Sequence, residues 1–201
     1  MKSRLQTFLR SLALFLCSSC IVSTISGYDF AVDGVYYDIQ KNSESPSVYV
    51  TYQLIEWYGK YDDVEDYKGG YSGDVTIPST VTYNSIVYDV IGIGNNAFDE
   101  STITSISLPN SIKTIEEEAF FDCRQLTSIV LPQSLQSLGQ GAFNGCSSLT
   151  TVNIPSGITR INDKTFYGCK SLSYIIIPKE ISYIGQYAFS GCTDLSMAVF
   201  L

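Results

Sequence analysis

Four cysteines are the residues whose type and spacing most readily suggest chemistry in this sequence. Thiolates bind zinc and iron–sulfur clusters, and in an exported protein they can pair as disulfides. Metal ligands must converge on a point, whereas equivalent positions of a repeat spread along a line at about 5 Å per layer. We therefore predict a row of buried structural thiols and no metal site, with disulfides between adjacent layers as a disfavoured alternative because parallel Cβ vectors point away from bridging geometry. The four cysteines are 23 residues apart, at Cys123, Cys146, Cys169 and Cys192.

One glycine motif suggests a dinucleotide cofactor. Gly92-Ile93-Gly94-Asn95-Asn96-Ala97 fits the pattern G-x-G-x-x-A and follows a strand-like segment. The equivalent positions further along read Ile-Glu-Glu-Glu-Ala, Leu-Gly-Gln-Gly-Ala and Ile-Gly-Gln-Tyr-Ala. Because the glycines are replaceable there, the segment is predicted to be one turn of a repeat, and we expect no cofactor.

Carboxylates are the remaining candidates for catalysis, because the sequence contains no histidine. The lack of histidine excludes Ser-His-Asp and Cys-His hydrolases and imidazole zinc sites. Glu116-Glu117-Glu118 is a run of like charge in a predicted turn, with no indication of a second acid facing it across a cleft. The cluster Asp62-Asp63-Val64-Glu65-Asp66 lacks the spacing of an EF-hand loop, so a solvated acidic loop is favoured over a calcium site. We predict that the protein is not an enzyme.

Composition and charge narrow the range of partners. The chain has 201 residues, of which 45% are hydrophobic and 16% charged, so it is long enough and apolar enough to fold. Its 12 basic and 20 acidic residues give a net charge of −8. Removal of Lys2, Arg4 and Arg10 with the N-terminus would leave 9 basic against 20 acidic residues, a net charge of −11. A nucleic-acid partner is therefore not expected.

Residues 1–26 have the pattern of a secretory signal peptide. A basic start is followed by an apolar run from Leu12 to Cys17 and then by small residues. The run is too short to span a bilayer, so we predict cleavage and export, with the protein secreted or associated with the cell surface or outer membrane. The alternative is a lipid anchor, because Ser18-Ser19-Cys20 resembles a bacterial lipobox, although Cys17 stands where leucine is usual.

An internal repeat of about 23 residues organises the region that we assign to residues 73–201. Its second half carries apolar residues at the first, fourth and sixth positions and ends in proline, as in Leu126, Ile129, Leu131 and Pro132. This pattern predicts a short strand whose inward side chains need a stacked neighbour to be buried. We predict a mainly β repeat solenoid, with a parallel sheet on one face and turns, short strands or 3-10 segments opposite. Repeats start near Ile93, Ile115, Leu138, Ile161 and Ile184.

The frame I-x-x-x-A-F-x-G-C-x-x-L-x-x-I-x-I-P-x-x-I resembles the BspA-type bacterial leucine-rich repeat over about residues 71–201. The resemblance implies a leucine-rich-repeat stack in a surface or secreted protein. It also implies adhesion to host proteins, epithelial cells or other bacteria, without naming a binding residue. Proline closes the strand here in place of the asparagine ladder of commoner leucine-rich repeats, so their ligand preferences do not carry over.

Residues 27–72 lack the period and are predicted to form a small β-rich cap over the first repeat. They hold nine of the 15 tyrosines and the single tryptophan, Trp57. Asp33-Gly34 and, further on, Asn84-Ser85 are turn signals between β-prone residues. The alternative function is carbohydrate binding, with Trp57, Tyr58 and Tyr61 stacking on sugar rings, although aromatic residues equally build the core of a small cap.

The outward side chains of the stacked strands are the predicted binding surface, because repeat proteins usually bind through this extended face. The expected partner is an extracellular or host protein, or another cell surface. Polarity falls toward the C-terminus, which predicts an apolar patch, although ordinary β-propensity would also place such residues there. The patch comprises Tyr174, Ile176, Met197 and Val199, flanked by Ser128, Val130, Thr151 and Asn153.

Overall fold

A computed structural model describes residues 28–52 and 70–201 of the chain. Every regular element in these residues is a β-strand. The strands are β1 (Phe30–Val32), β2 (Val35–Ile39), β3 (Ser47–Thr51), β4 (Ser72–Thr76), β5 (Thr80–Tyr83), β6 (Ile86–Ile93), β7 (Thr102–Ser107), β8 (Thr114–Ile115), β9 (Ser128–Ile129), β10 (Ser137–Leu138), β11 (Thr151–Val152), β12 (Arg160–Ile161), β13 (Tyr174–Ile177), β14 (Tyr183–Ile184) and β15 (Met197–Phe200).

The N-terminal strands form antiparallel hairpins, as the turn signals predicted. Strands β1 and β2 pair antiparallel around Asp33 and Gly34, whose φ angles of 49° and 80° are those of a tight hairpin turn. Strand β3 then pairs antiparallel with β2 and parallel with β6. The cap strands therefore continue the sheet of the solenoid instead of lying apart from it.

A second hairpin brings the chain into the first repeat. Strands β5 and β6 pair antiparallel around Asn84 and Ser85, both with positive φ. The far end of β6 pairs in parallel with β8, and β8 with β10. Strand β6 therefore connects antiparallel entry strands to parallel repeat strands.

Two parallel ladders run along the repeats. The first ladder contains β4, β7, β9 and β11, followed by the pair β13 and β15. The second contains β6, β8 and β10, followed by the pair β12 and β14. Both are parallel because each repeat turns in the same direction as the one before it. The predicted β solenoid is confirmed, with its turns and short strands between and opposite the longer strands.

The inward side chains of both ladders meet in one hydrophobic core. In the repeat that includes β9, Leu126, Ile129 and Leu131 are buried, as the spacing of apolar residues predicted. Ile115 and Leu138 face them from the second ladder and are also buried. Because each repeat contributes only a few such side chains, burial depends on the layers above and below it.

A stack of phenylalanine rings runs through the turns that connect the ladders. Consecutive ring centroids lie 5.0, 5.2, 5.6 and 5.5 Å apart, and the ring planes are within 9° of parallel. Offset stacking of this kind is a favourable arrangement for aromatic rings, and here it has the spacing of the layers. The rings belong to Phe98, Phe120, Phe143, Phe166 and Phe189.

Tyr71 joins the cap to this stack. Its ring lies 4.6 Å from that of Phe98 and takes the place of a preceding phenylalanine. Its hydroxyl donates to the carbonyl oxygen of Thr51 at 2.7 Å and accepts from the backbone N–H of Tyr36 at 3.0 Å. The hydroxyl therefore satisfies backbone groups of the cap strands while the ring extends the core.

Each full repeat reverses direction through two residues in the left-handed region. The first precedes the Ala-Phe or Thr-Phe pair and is filled by Glu118, Gly141, Lys164 and Tyr187, with φ between 53° and 60°. The second precedes the cysteine and is Asp122, Gly145, Gly168 or Gly191. Glycine adopts this conformation without steric cost, which explains why it recurs before the cysteine.

We expect Phe143→Ala to lower the free energy of unfolding by about 3–5 kcal/mol, because it opens a cavity between two stacked rings. Val130→Ala is the matched control, since Val130 is 74% exposed on the outer side of the same solenoid. The control should stay within about 0.5 kcal/mol of the parent chain. Urea unfolding followed by circular dichroism measures both, and equal stabilities would contradict the role of the stack.

Candidate interaction surface

The four repeat cysteines lie in one row inside the solenoid. Each sulfhydryl donates to the carbonyl oxygen of the phenylalanine one repeat earlier: Cys123 Sγ to Phe98 O at 3.0 Å, and Cys146 Sγ to Phe120 O at 3.1 Å. Cys169 and Cys192 repeat the contact at 3.1 Å. All four cysteines are unpaired. The hydrogen bond that each thiol donates therefore links one layer to the next.

Burial makes most of these thiols unreactive. Loss of solvent raises the pKa of Cys146 and Cys169 well above that of an ordinary thiol. Cys192, which is only partly buried, has its pKa raised by burial to about 11. Within the described residues, no group of histidine, cysteine, aspartate and glutamate side chains has the arrangement of a metal site.

We expect alkylation to separate Cys192 from the other repeat cysteines. With N-ethylmaleimide under native conditions, Cys192 should react slowly, whereas Cys123, Cys146 and Cys169 should be protected by burial. Peptide mapping by mass spectrometry distinguishes each site, and the same reaction in urea provides the control for full reactivity. Native labelling of Cys146 as fast as Cys192, or disulfide-linked peptides among the four, would contradict this prediction.

The glycine motif lies in strand β6 and the turn that follows it. The side of Gly92 where a Cβ would lie is covered by the ring of Tyr49, and Gly94 approaches the carbonyl oxygen of Val50. The backbone N–H of Asn95 donates to a carboxylate oxygen of Glu116 at 3.1 Å, and the Asn95 side-chain oxygen accepts from the Glu117 N–H at 3.0 Å. The backbone groups of this turn therefore contact the neighbouring layer.

Carboxylates gather on the turns of the first layers. Burial, followed by the neighbouring charges of Glu100, Glu118 and Asp122, raises the pKa of Asp99 to about 6. Asp122 is paired with Arg124, whose guanidinium lies 2.5 Å from its carboxylate. One oxygen of Asp99 is buried and accepts no hydrogen bond. Asp99 is therefore poorly solvated as an anion.

We expect Asp99→Asn to stabilise the protein at pH 7.5 and to have little effect at pH 3.5. A carboxyl whose pKa is raised in the folded state stabilises the protein at pH values below its pKa in the unfolded state. This contribution is lost as the pH rises through the folded-state pKa of about 6. The gain at pH 7.5 should be about 1 kcal/mol after allowance for solvent screening. Asn144 occupies the equivalent position two repeats later, which indicates that the fold accepts asparagine there.

Urea unfolding of the parent chain and the variant at both pH values measures this difference. Asp89→Asn provides the control, because Asp89 is an exposed carboxylate on the entry strand β6. Equal stabilities of the parent and Asp99→Asn at pH 7.5 would show that Asp99 is adequately solvated.

The outward side of the first ladder, which we term the strand face, aligns side chains from successive layers. Asp74 pairs in register with Ser105, Ser105 with Ser128, and Ser128 with Thr151. At the N-terminal end, Thr104 and Ser105 both donate hydroxyl hydrogen bonds to Asp74, and these bonds lower the pKa of its carboxyl, with Ser105 the larger cause. This end of the strand face is therefore charged and polar.

The other end of the strand face is apolar. Tyr174 pairs in register with Met197, and Ile176 with Val199. Their side chains are 46%, 58%, 42% and 36% exposed, in that order. The structure thus places the four residues of the predicted apolar patch side by side on β13 and β15. Contiguous apolar surface of this kind is characteristic of contact sites.

The four flanking candidates do not all present free groups. Ser128, Val130 and Thr151 are exposed on the strand face. Asn153 is half-buried, and its side-chain amide accepts from the Leu131 N–H at 2.8 Å and donates to the Leu131 carbonyl at 2.9 Å. A single asparagine thus bridges the layers of β9 and β11.

Sequence reasoning missed a set of hydroxyls that bridge the layers beside the strand face. Thr127 donates to the Thr104 carbonyl at 3.4 Å, Thr150 to the Thr127 carbonyl at 3.0 Å, and Ser196 to the Ser173 carbonyl at 3.2 Å. The signal was the recurrence of threonine or serine immediately before each outward position. These hydroxyls align neighbouring strands and so hold the binding candidates in rows.

Several predicted features lie outside the described residues. They are the signal peptide in residues 1–26, Cys20, the aromatic candidates Trp57, Tyr58 and Tyr61, and the acidic cluster at 62–66. Within residues 28–52 and 70–201, no helix is long and apolar enough to cross a membrane.

The model of the BspA-type leucine-rich repeat region matches residues 91–201, with six copies of the repeat. The matched segment covers more than half of the chain. The chain belongs to this family. Its repeat, its two parallel ladders and its cysteine row are therefore features of one BspA-type stack. Comparison with curated proteins gives no match.

Two solved structures of bacterial proteins share the fold. A protein from Eubacterium ventriosum has a TM-score of 0.59 at 18% identity, over 81% of this chain and 39% of its own. The pneumococcal vaccine antigen PcpA has a TM-score of 0.55 at 20% identity, over 87% of this chain and 49% of its own. A leucine-rich cell surface protein from Faecalibacterium prausnitzii has a TM-score of 0.43 at 21% identity, over 85% of this chain and 54% of its own. The chain spans about half the length of these proteins or less.

Proposed function

We propose that the chain is a non-enzymatic extracellular or cell-surface module that binds a macromolecular partner, an extracellular or host protein, through its strand face. The observation that carries the proposal is the in-register apolar patch of Tyr174, Ile176, Met197 and Val199 on β13 and β15. Membership of the BspA-type family supports a surface location. A pneumococcal vaccine antigen shares the fold, and its role as an antigen agrees with that location.

The chemistry of the patch fits a protein partner. Tyrosine and methionine are enriched at protein interfaces, and a tyrosine combines a large apolar ring with a hydroxyl that can donate a hydrogen bond. The four residues lie in register on two adjacent strands, so the partner would contact them by surface complementarity. The hydroxyls of Ser128 and Thr151 provide the polar margin that such interfaces usually have.

The non-enzymatic part of the proposal rests on how repeats distribute side chains. Equivalent hydroxyls, carboxylates and thiols recur one layer apart, as in the row of Thr104, Thr127 and Thr150. Catalysis needs different groups to meet at one reacting atom. A row of like groups is instead suited to an extended contact surface.

We expect the double variant Tyr174→Ser, Ile176→Ser to lose capture of its protein partner by about tenfold or more, because buried aromatic anchors dominate interface energies. Residues 27–201 would be immobilised and exposed to a panel of purified extracellular-matrix and epithelial surface proteins, with bound proteins quantified by mass spectrometry. Biolayer interferometry on each captured protein then gives the affinity of parent and variant.

The matched control changes the same residue types on other faces. Tyr187→Ser, Ile86→Ser removes an exposed tyrosine from a turn and an exposed isoleucine from the β5–β6 hairpin. Capture should be unchanged in this control, and thermal unfolding should show that both variants fold. Equal capture by the patch variant and the parent chain would refute the strand-face proposal.

A further inference from the structure

A cavity of about 290 Å³ opens where the cap strands meet the first turns of the solenoid. On one side, Asp38 of β2 and Gln40, which directly follows β2, line the cavity. Tyr49 of β3 and Tyr52, which directly follows β3, line it as well. Asn95 and Glu116 close it from the turns that follow β6 and β8. Segments far apart in the sequence therefore converge here, unlike the equivalent positions along the repeats.

One wall of the cavity is formed where Tyr49 of β3 lies opposite Gly92 of β6. Tyr49 pairs with Asp38 on one side and with Gly92 on the other. A Cβ at Gly92 would lie 2.7 Å from the Tyr49 ring, so glycine is what allows the ring to rest against the sheet. The ring is only partly buried and contributes an aromatic surface to the cavity wall.

Two of the polar side chains are held in position by the neighbouring layer. One carboxylate oxygen of Glu116 accepts from the Asn95 backbone N–H at 3.1 Å. The Asn95 side-chain oxygen accepts from the Glu117 N–H at 3.0 Å, which orients its NH₂ group as the remaining donor of that amide. Such preorganisation lowers the entropic cost of binding a ligand.

The charge of the walls limits what the cavity can accept. Asp38 and Glu116 supply carboxylates, and none of the residues that line the cavity is basic. Burial, followed by the charge of Asp29, raises the pKa of the Asp38 carboxyl, as expected for a partly desolvated acid. An anionic ligand would therefore be repelled.

We propose that this cavity binds a neutral saccharide. Carboxylates accept hydrogen bonds, whereas the amides of Gln40 and Asn95 also donate them, and a ligand with many hydroxyls can use both kinds of group. The apolar face of a sugar ring can pack on the exposed surface of Tyr49 or Tyr52. The Gln40 side-chain nitrogen also donates to the Asp38 carbonyl at 3.4 Å, and an ammonium ligand would use the carboxylates but offer no acceptor to the Asn95 amide. The site shares no residue with the apolar patch, so it is independent of the strand-face proposal.

The test uses the full chain and a panel of methyl glycosides of glucose, galactose and mannose together with N-acetylglucosamine. Saturation-transfer NMR detects binding, and isothermal titration gives affinities. Asp38→Asn and Glu116→Gln preserve side-chain shape but replace an acceptor oxygen with a donor. Each should weaken binding of the recognised saccharide by about tenfold, since hydrogen bonds to charged groups are the stronger ones.

The controls are matched in charge and in location. Glu117→Gln makes the same change one residue away, on an exposed side chain that does not line the cavity. It should leave saccharide affinity unchanged, as should Tyr174→Ser, Ile176→Ser. Thermal unfolding of every variant separates loss of binding from loss of fold, and Tyr52→Ala provides a further test of the aromatic surface with about the same expected weakening.

Three outcomes would overturn the proposal. Saccharide binding that Asp38→Asn and Glu116→Gln leave intact would place the sugar site elsewhere on the chain. Binding of n-butylamine that these variants abolish, without binding of any neutral glycoside, would make the cavity an ammonium site. Failure of every glycoside to bind at about 50 mM, well above a Kd of millimolar order, would refute a saccharide site in this cavity. None of these outcomes bears on partner capture by the strand face.

Discussion

The hydrogen bond between equivalent turns of successive repeats is the constraint on which the rest of the structure depends. The backbone N–H of Phe120 donates to the carbonyl of Ala142 at 2.9 Å, and Phe143 and Phe166 repeat the bond to the next layer at 2.9 Å. This bond fixes the distance between layers, and the same distance then allows the rings to stack and each thiol to reach a carbonyl. Side chains of one type are thereby arranged in lines, so binding surfaces form along the solenoid.

Close approach of the layers also dictates which residues fit after each strand of the second ladder. A Cβ at Gly139 would lie 2.3 Å from the backbone of Glu116, and one at Gly185 would lie 2.4 Å from the backbone nitrogen of Asp163. Glycine therefore alternates with larger residues along this row: Gly94, Glu116, Gly139, Asn162 and Gly185. These positions are interchangeable in the aligned repeats, whereas the packing shows that a small residue in one layer accommodates its larger neighbour in the next.

The sequence predicted the solenoid because its period encodes the core directly. Leu126, Ile129 and Leu131 could be assigned to the interior from their spacing, and the hairpin at Asp33 and Gly34 from its turn chemistry. The cavity beside Tyr49 could not be found in this way, because it depends on parallel pairing of β3 with β6, segments that no period relates. The two hydrogen bonds that engage Asn153 were likewise hidden, since spacing shows which way a side chain points but not which backbone groups it meets.

The exposure of apolar residues near the end of the solenoid has two separate origins. Ile184 is 40% exposed although its equivalent Ile161 is fully buried, because an inward residue needs a following layer to cover it. Tyr174 and Ile176 instead point outward from a strand that already has a neighbour on β15, as Val130 does in the middle of the stack. A further layer would bury Ile184 but would leave these outward side chains exposed. Their availability to a partner is therefore a property of the strand face and does not depend on how many repeats follow.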